Sequence, residues 1–385
     1  MVVLGAAAAC LAAMLAPMPS GAADDHQPRA PIVKKKKIAP GVTFTRIIQR
    51  QVPLRTFVLR IDPSKPVTVD VSLAAAVLGS RRTVLEIANA HEAIAAVNGD
   101  YTVRDAGRPT RPFAQDGELV QSGGRGPMFA LARDEGSAFL GAPKLVVTAT
   151  DRDSGQSWRL DRWNFGPPAP GEIAGFTPRG GTFEAPPSFA CSVRLLRDGE
   201  ISFDEDQTGV VGDYVVNAAA CEAGSMTRDG GVVLSAPPAT DEATQLLAMK
   251  PGTRIRLRWS LGWQGVYDVV GGTPILIRDG EIAVQPCSGS FCTRHPRTGI
   301  GYTENGGVLL VVVDGRQPRW SRGASLREFA TIMQDLGAVQ ALNLDGGGST
   351  TMIVEGEVVN RPSDGQQRSL SNAVLVLPGP DPGEL

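Results

Sequence analysis

Lysine is scarce in this chain: it occurs only at Lys34, Lys35, Lys36, Lys37, Lys65, Lys144 and Lys250, and arginine supplies the rest of the 38 basic residues. These are balanced by 40 acidic residues, for a net charge of −2. There is no cationic surplus of the kind that draws a protein onto nucleic acid, so no nucleic-acid partner is expected. Histidine occurs three times and cysteine five times, with no C-x-x-C pair. A zinc centre is therefore not expected, and neither is another metal. The chain also lacks a Gly-Lys-Ser/Thr phosphate loop, a G-x-S-x-G elbow, an H-E-x-x-H helix and an EF-hand loop, so no cofactor is expected either. No apolar stretch reaches the roughly 20 residues that a helix needs to cross a bilayer.

What the chain does have is an ordinary globular composition, 42% hydrophobic and 20% charged, which excludes wholesale disorder. Gly 45 and Pro 29 point to many turns and short strands rather than a helical bundle. Residues 2–15 are apolar and uncharged, and Gly21, Ala22 and Ala23 offer a small-residue cleavage site before Asp24. Residues 1–23 are therefore expected to be a signal peptide, giving a secreted or periplasmic protein with no stable membrane span after its removal. Residues 24–41, with Pro28, Pro31 and the lysine run, read as a solvated linker. With Cys10 in the leader, Cys191, Cys221, Cys287 and Cys292 remain. An exported chain with four cysteines suits two disulfides, and three pairings are open. Proximity favours Cys287–Cys292, which leaves Cys191–Cys221.

Alternation marks strands at 55–61 and 67–73, and a T-x-x-E capping box at Thr83 and Glu86 starts a helix. His91 then falls on the packed face of that helix. The apolar run 93–97 delivers Asn98-Gly99-Asp100 at its carboxyl end. Further strands are expected at 144–150, 192–196, 232–234 and 254–259, with a short helix over 241–249. Val308 to Val313 is wholly apolar and ends in Asp314-Gly315-Arg316. Ser325 and Glu328 form a second capping box, opening a helix that Gly337 ends. A strand over 339–344 then leads into Asp345-Gly346-Gly347-Gly348-Ser349. Polar residues at the ends of strands face solvent, where ligand sites form. The expected fold is α+β: one domain over 42–378 with a mixed, twisted sheet core, few helices and long loops, followed by a tail at 379–385.

The polar clusters in their order carry a resemblance. His295-Pro296-Arg297-Thr298, the strand into Asp314-Gly315-Arg316, Ala341 to Ser349, Val359-Asn360-Arg361-Pro362 and Ser371-Asn372-Ala373 resemble the phosphodiester glycosidase family. Upstream, Val97-Asn98-Gly99-Asp100-Tyr101, Phe176-Thr177-Pro178 and Gly271-Gly272-Thr273-Pro274 fit the same pattern. The resemblance implies a hydrolase that splits a sugar 1-phosphodiester into free sugar and phosphomonoester, so a glycan phosphodiester is the expected partner.

The residue types suit that chemistry. Cleavage passes through a cation-like sugar that a carboxylate stabilises or attacks, while the departing phosphate needs positive donors. Asp345 is the expected catalytic carboxylate, with Asp314 as partner or orienter. His295 is a further acid–base group, since imidazole titrates nearest neutrality. Arg297, Arg316 and Arg361 are expected to clamp phosphate. Asn98, Asp100 and Asn343 would bond sugar hydroxyls or position Asp345. Gly99, Gly271, Gly272, Gly346, Gly347, Gly348 and Ser349 would let backbone N–H groups approach the ligand. Two rival readings are a non-catalytic glycan-binding protein of the same fold, and a metal-dependent phosphodiesterase using Asp100, Asp314, Asp345 and His295 as ligands.

Overall fold

The computed structural model describes residues 30–134, 136–182, 186–221, 228 and 230–379. The expected signal peptide, the start of the expected linker and all but the first residue of the expected tail lie outside the described residues.

The chain opens with β1 (Ile32–Ala39), β2 (Val42–Gln49), β3 (Leu54–Ile61) and β4 (Val67–Leu73), followed by α1 (Val84–Ala90) and β5 (Ala95–Asn98). The first three strands form one side of an eight-stranded sheet. It continues through Val308–Val313, Arg297–Thr303, Ala338–Asn343, Ile275–Arg278 and Glu281–Ile282. β4 and β5 belong to a five-stranded sheet with Asn372–Pro378, Met352–Val354 and Glu357–Val358. The two sheets pack face to face. Phe57, Leu59, Leu310 and Val312 meet Val69, Val71, Val97 and Val374 in one core cluster.

Period-2 alternation sends the other residues of the same strands outward onto helices. Val58, Leu309, Val311 and Val313 pack against α3 (Leu326–Asp335) through Phe329 and Met333. On the far side, Ala96, Ala373 and Leu375 pack on Val84 and Ile87 of α1. The whole run Val308–Val313 is thus buried on both faces, as its uninterrupted apolar sequence requires.

A third, nine-stranded sheet covers much of the middle of the chain, with α2 (Asp241–Ala248) packed on it through Ala243 and Leu246. A second five-stranded sheet joins it to the rest. In its strand Met128–Ala132, Met128 and Ala130 enter the core of the nine-stranded sheet, whereas Phe129 and Leu131 enter the core between the first two sheets. One strand therefore serves two cores, and the molecule is a single α+β domain with little helix.

The linker expected up to residue 41 is corrected from Ile32 onward. Residues Ile32–Ala39 are an edge strand, paired antiparallel with β2 from Ile32 opposite Ile48 to Ala39 opposite Val42. The lysine run does not prevent this. The backbone pairs along the strand, the lysine side chains stay exposed, and Ile38 packs on the core. Lysine on a sheet edge also deters pairing with another chain. Lys36 reaches across to Glu355. Cys191–Cys221 and Cys287–Cys292 are disulfides, the pairing that proximity favoured.

Candidate functional site

The site forms where the ends of two sheets meet. Strand Arg297–Thr303 lies between Val308–Val313 and Ala338–Asn343 and runs antiparallel to both, with Arg297 opposite Val313 and Gly299 opposite Asn343. The start of the middle strand and the ends of its neighbours therefore share one edge. This topology places the backbones of Arg297, Asp314 and Asp345 at that edge. β5 delivers Asn98 from the other sheet, and Asn98 clasps the two ends. Its Nδ2 donates to Asp345 O at 2.6 Å, while its Oδ1 accepts from Thr298 Oγ1 at 2.8 Å and from Thr351 N at 3.1 Å. Asp345 N donates to Gly99 O at 3.1 Å. Both polar atoms of the Asn98 side chain therefore hold protein partners.

Bare backbone makes the approach close enough. A Cβ on Gly315 would stand 2.5 Å from Pro296 N, and one on Gly346 would stand 2.9 Å from Pro296 O. Gly271 is closed in by Arg111 and Asp100, and Gly272 by the carbonyl of Asn343. Two N–H groups of the glycine turn, those of Gly346 and Gly347, are also spent inside the protein. Gly347 N donates to Pro296 O at 2.9 Å, and Gly346 N and the Ser349 side chain donate to the Asp345 carboxylate.

The three motif carboxylates differ sharply. Asp100 is 1% exposed and accepts from Tyr101 N, Thr110 N, Arg111 N, Thr110 Oγ1 and Arg111 Nη1. Asp314 is also 1% exposed, and accepts from Trp320 Nε1 at 2.7 Å, Asn360 Nδ2 at 3.0 Å and Arg361 N at 3.0 Å. Burial pushes both carboxyls above the usual carboxylate range against these donors. Asp345 is only half-buried. Burial raises its carboxyl to about 6, with the Asp100 charge adding to the effect and Ser349, Gly346 and Arg368 opposing it. It is therefore ionised at neutral pH yet close to taking a proton.

The basic groups also divide. Arg297 is 2% exposed, and burial lowers its guanidinium to about 10. Its Nε donates to Ala324 O at 3.0 Å, and its Nη2 donates to Phe291 O and Thr293 O at 2.7 and 2.8 Å. Arg297 thus pins the disulfide loop that carries Phe291. Arg316 is exposed and folds over Gly347, where an added Cβ would stand 2.9 Å from its Nη2. Its Nε donates to His295 Nδ1 at 3.2 Å, and His295 Nε2 lies 2.7 Å from Ser290 O. A guanidinium only donates and a carbonyl only accepts, so the imidazole carries its proton on Nε2 and both ring nitrogens have partners. Arg361 holds Asp314 through its backbone and lays its guanidinium 5.5 Å from the Trp320 ring.

Sequence reasoning missed Arg368. It lies against Gly348, its Nε donates to Asp364 Oδ2 at 2.6 Å, and its charge acts on Asp345. Nothing in the spacing of residues 361–370 marks it, because its relevance comes from the bare face of Gly348. Tyr101, Thr110, Arg111, Arg125, Thr273 and Phe291 line an open cleft of about 530 Å³ beside these groups. Asn343 turns its Nδ2 to Thr273 O, at 2.6 Å, and to Tyr101 Oη, at 3.1 Å, while its buried Oδ1 has no hydrogen-bond partner among the described residues.

Comparison with known proteins agrees with the motifs. A phosphodiester glycosidase family model matches residues 197–377. A Bacillus subtilis SPbeta prophage-derived protein, YomE, is 35% identical over 83 residues, covering 22% of this chain and 13% of that one. N-acetylglucosamine-1-phosphodiester alpha-N-acetylglucosaminidase of Bos taurus is 31% identical over 110 residues, covering 25% of this chain and 20% of that one. The chain thus matches only a fifth or less of the length of these two relatives. A solved structure of a Synechocystis protein shares the fold, with a TM-score of 0.67 at 23% identity, over 90% of this chain and 64% of that one. By motif, family model and relatives, residues 197–377 of this chain are similar to the phosphodiester glycosidases.

Proposed function

We propose that the chain is an exported hydrolase of sugar 1-phosphodiesters, acting on a cell-wall or exopolysaccharide glycan. In this reaction the bond from the anomeric carbon to the phosphate oxygen breaks. Water supplies the new hydroxyl on that carbon, and its remaining proton ends on the phosphomonoester. The observation that carries the reading is the Asp345 turn: a half-buried carboxyl raised to about 6, with Arg316 and Arg368 lying on the adjoining bare glycines Gly347 and Gly348. A carboxylate of this kind suits the cationic sugar, and two guanidinium groups suit the leaving phosphate. Arg297, Asp314, Asp100 and Asn98 are then positioning residues, since their polar atoms hold protein partners. Two disulfides suit an oxidising compartment outside the cytosol.

The test is a panel of α-glycosyl-1-phosphodiesters with released sugar and phosphomonoester both assayed, for wild type and Asp345→Asn. Equal release of both products by wild type, lost in the variant while ligand binding survives, is the expected outcome. Binding without turnover in either protein would make the chain a glycan-binding module.

A further inference from the structure

Strands of the nine-stranded sheet line a trough whose residues are separate from those of the candidate site. The segment around Gly117–Ser122 closes it. Trp259 Nε1 donates to Gly117 O at 2.9 Å, Trp163 Nε1 donates to Leu119 O at 2.7 Å, and Ser122 N donates to Trp163 O at 2.9 Å. Both indole N–H groups are therefore spent on backbone, and the rings offer only apolar surface. Alternate residues of the strands face inward. Val210 and Tyr214 come from Val210–Cys221, Leu257 and Trp259 from Arg254–Ser260, and Val147 from Val146–Asp151. Together they enclose about 410 Å³. A dry cavity of about 150 Å³ already accepts benzene, and clefts lined by apolar and aromatic side chains with a few polar groups are common ligand sites.

The mouth supplies a charge. In strand Cys191–Arg197 the inward series Val193, Leu195 ends at Arg197, which is exposed and sets its guanidinium 6.0 Å from the centre of the Tyr214 ring. The other arginines of the rim are committed. Arg258 Nε donates to Asp204 at 2.6 Å, and Arg179 pairs with Glu118 at 3.6 Å. Arg197 makes no ion pair among the described residues. An inward register position that carries arginine at the open end of an apolar trough calls for an anion on an apolar body. One guanidinium fork matches one carboxylate.

We infer that this trough is a second ligand site, taking an amphiphile with an unbranched acyl body and a carboxylate head seated on Arg197. It shares no residue with the candidate active site. The probes are decanoate and decan-1-ol, titrated into the full chain by calorimetry, with glycosyl-phosphodiester hydrolysis assayed separately. Wild type is expected to bind one decanoate per chain. Arg197→Gln is expected to weaken decanoate at least about tenfold, the worth of a lost charged hydrogen bond, and to leave decanol unchanged. Val210→Trp, which fills the trough, is expected to lose both ligands while hydrolysis continues. The inference is overturned if wild type shows no saturable decanoate binding, if Arg197→Gln binds decanoate like wild type, or if a folded Val210→Trp protein still binds it. Should thermal melting show Val210→Trp unfolded, the Arg197→Gln comparison decides.

Discussion

Asp345 carries a cost that its environment reveals. Its folded carboxyl titrates at about 6, whereas the same group in an unfolded chain titrates near about 4. Between these values the folded state holds more proton, so this group's contribution to stability falls as pH rises from about 4 to about 6 and stays low above that. Asp345→Asn removes the charge. It is expected to melt higher than wild type at neutral pH, by an amount equivalent to about 1–3 kcal/mol. The gap should close below pH about 4, and hydrolysis should fall by about 10²–10⁴. Melting curves across the pH range test this, and a variant less stable than wild type at neutral pH contradicts it. Arg368 gives a second prediction at this scale. Asp364 occupies its guanidinium, so a substrate phosphate must compete with that carboxylate. Arg368→Gln is expected to raise KM by about tenfold or more with a smaller change in kcat, and Asp364→Asn to lower KM. Steady-state kinetics on the two variants should move KM in opposite directions.

At the scale of elements, the strand ends and their turns set the site. β5 is ordinary in itself, a short apolar strand, but the turn after it is built against Asn372. A Cβ on Gly99 would stand 2.0 Å from Asn372 Oδ1, the atom that accepts from Asp100 N at 2.7 Å. Gly99→Ala is therefore expected to cost about 1–3 kcal/mol through overpacking and to reduce activity by shifting Asp345, whose N–H bonds Gly99 O. A melting temperature equal to that of wild type would contradict this. Several elements were legible beforehand for local reasons. Ser325 and Glu328 predicted the start of α3, and both halves of that capping box are present. The uninterrupted apolar run Val308–Val313 predicted a doubly buried strand. β1 departs from the linker expectation because four consecutive lysines resemble a solvated segment, whereas an edge strand pairs its backbone and leaves lysine side chains exposed.

Across the whole molecule, the metal-dependent reading can be weighed by what the fold gathers. Among the described residues, the one group of three carboxylates close enough to share an ion is Asp70, Asp116 and Asp268, not Asp100, Asp314, Asp345 and His295. Hydrolysis is accordingly expected to be unchanged by EDTA. Loss of activity restored by a divalent cation would return that reading to the front.

The amino-acid order by itself determined the α-helices, several of the longer strands and the clustering of polar residues at their ends. Periodicity, caps and glycine turns act between residues a few positions apart. Which of those polar residues keeps an accessible functional group was decided only by tertiary structure. The Arg297 guanidinium is held by the carbonyls of Phe291, Thr293 and Ala324, and the Asp314 carboxylate by Trp320, Asn360 and Arg361. Arg368 gains its place from the bare face of Gly348. A donor or acceptor is spent on whatever the fold brings beside it, and those partners often come from segments far along the chain.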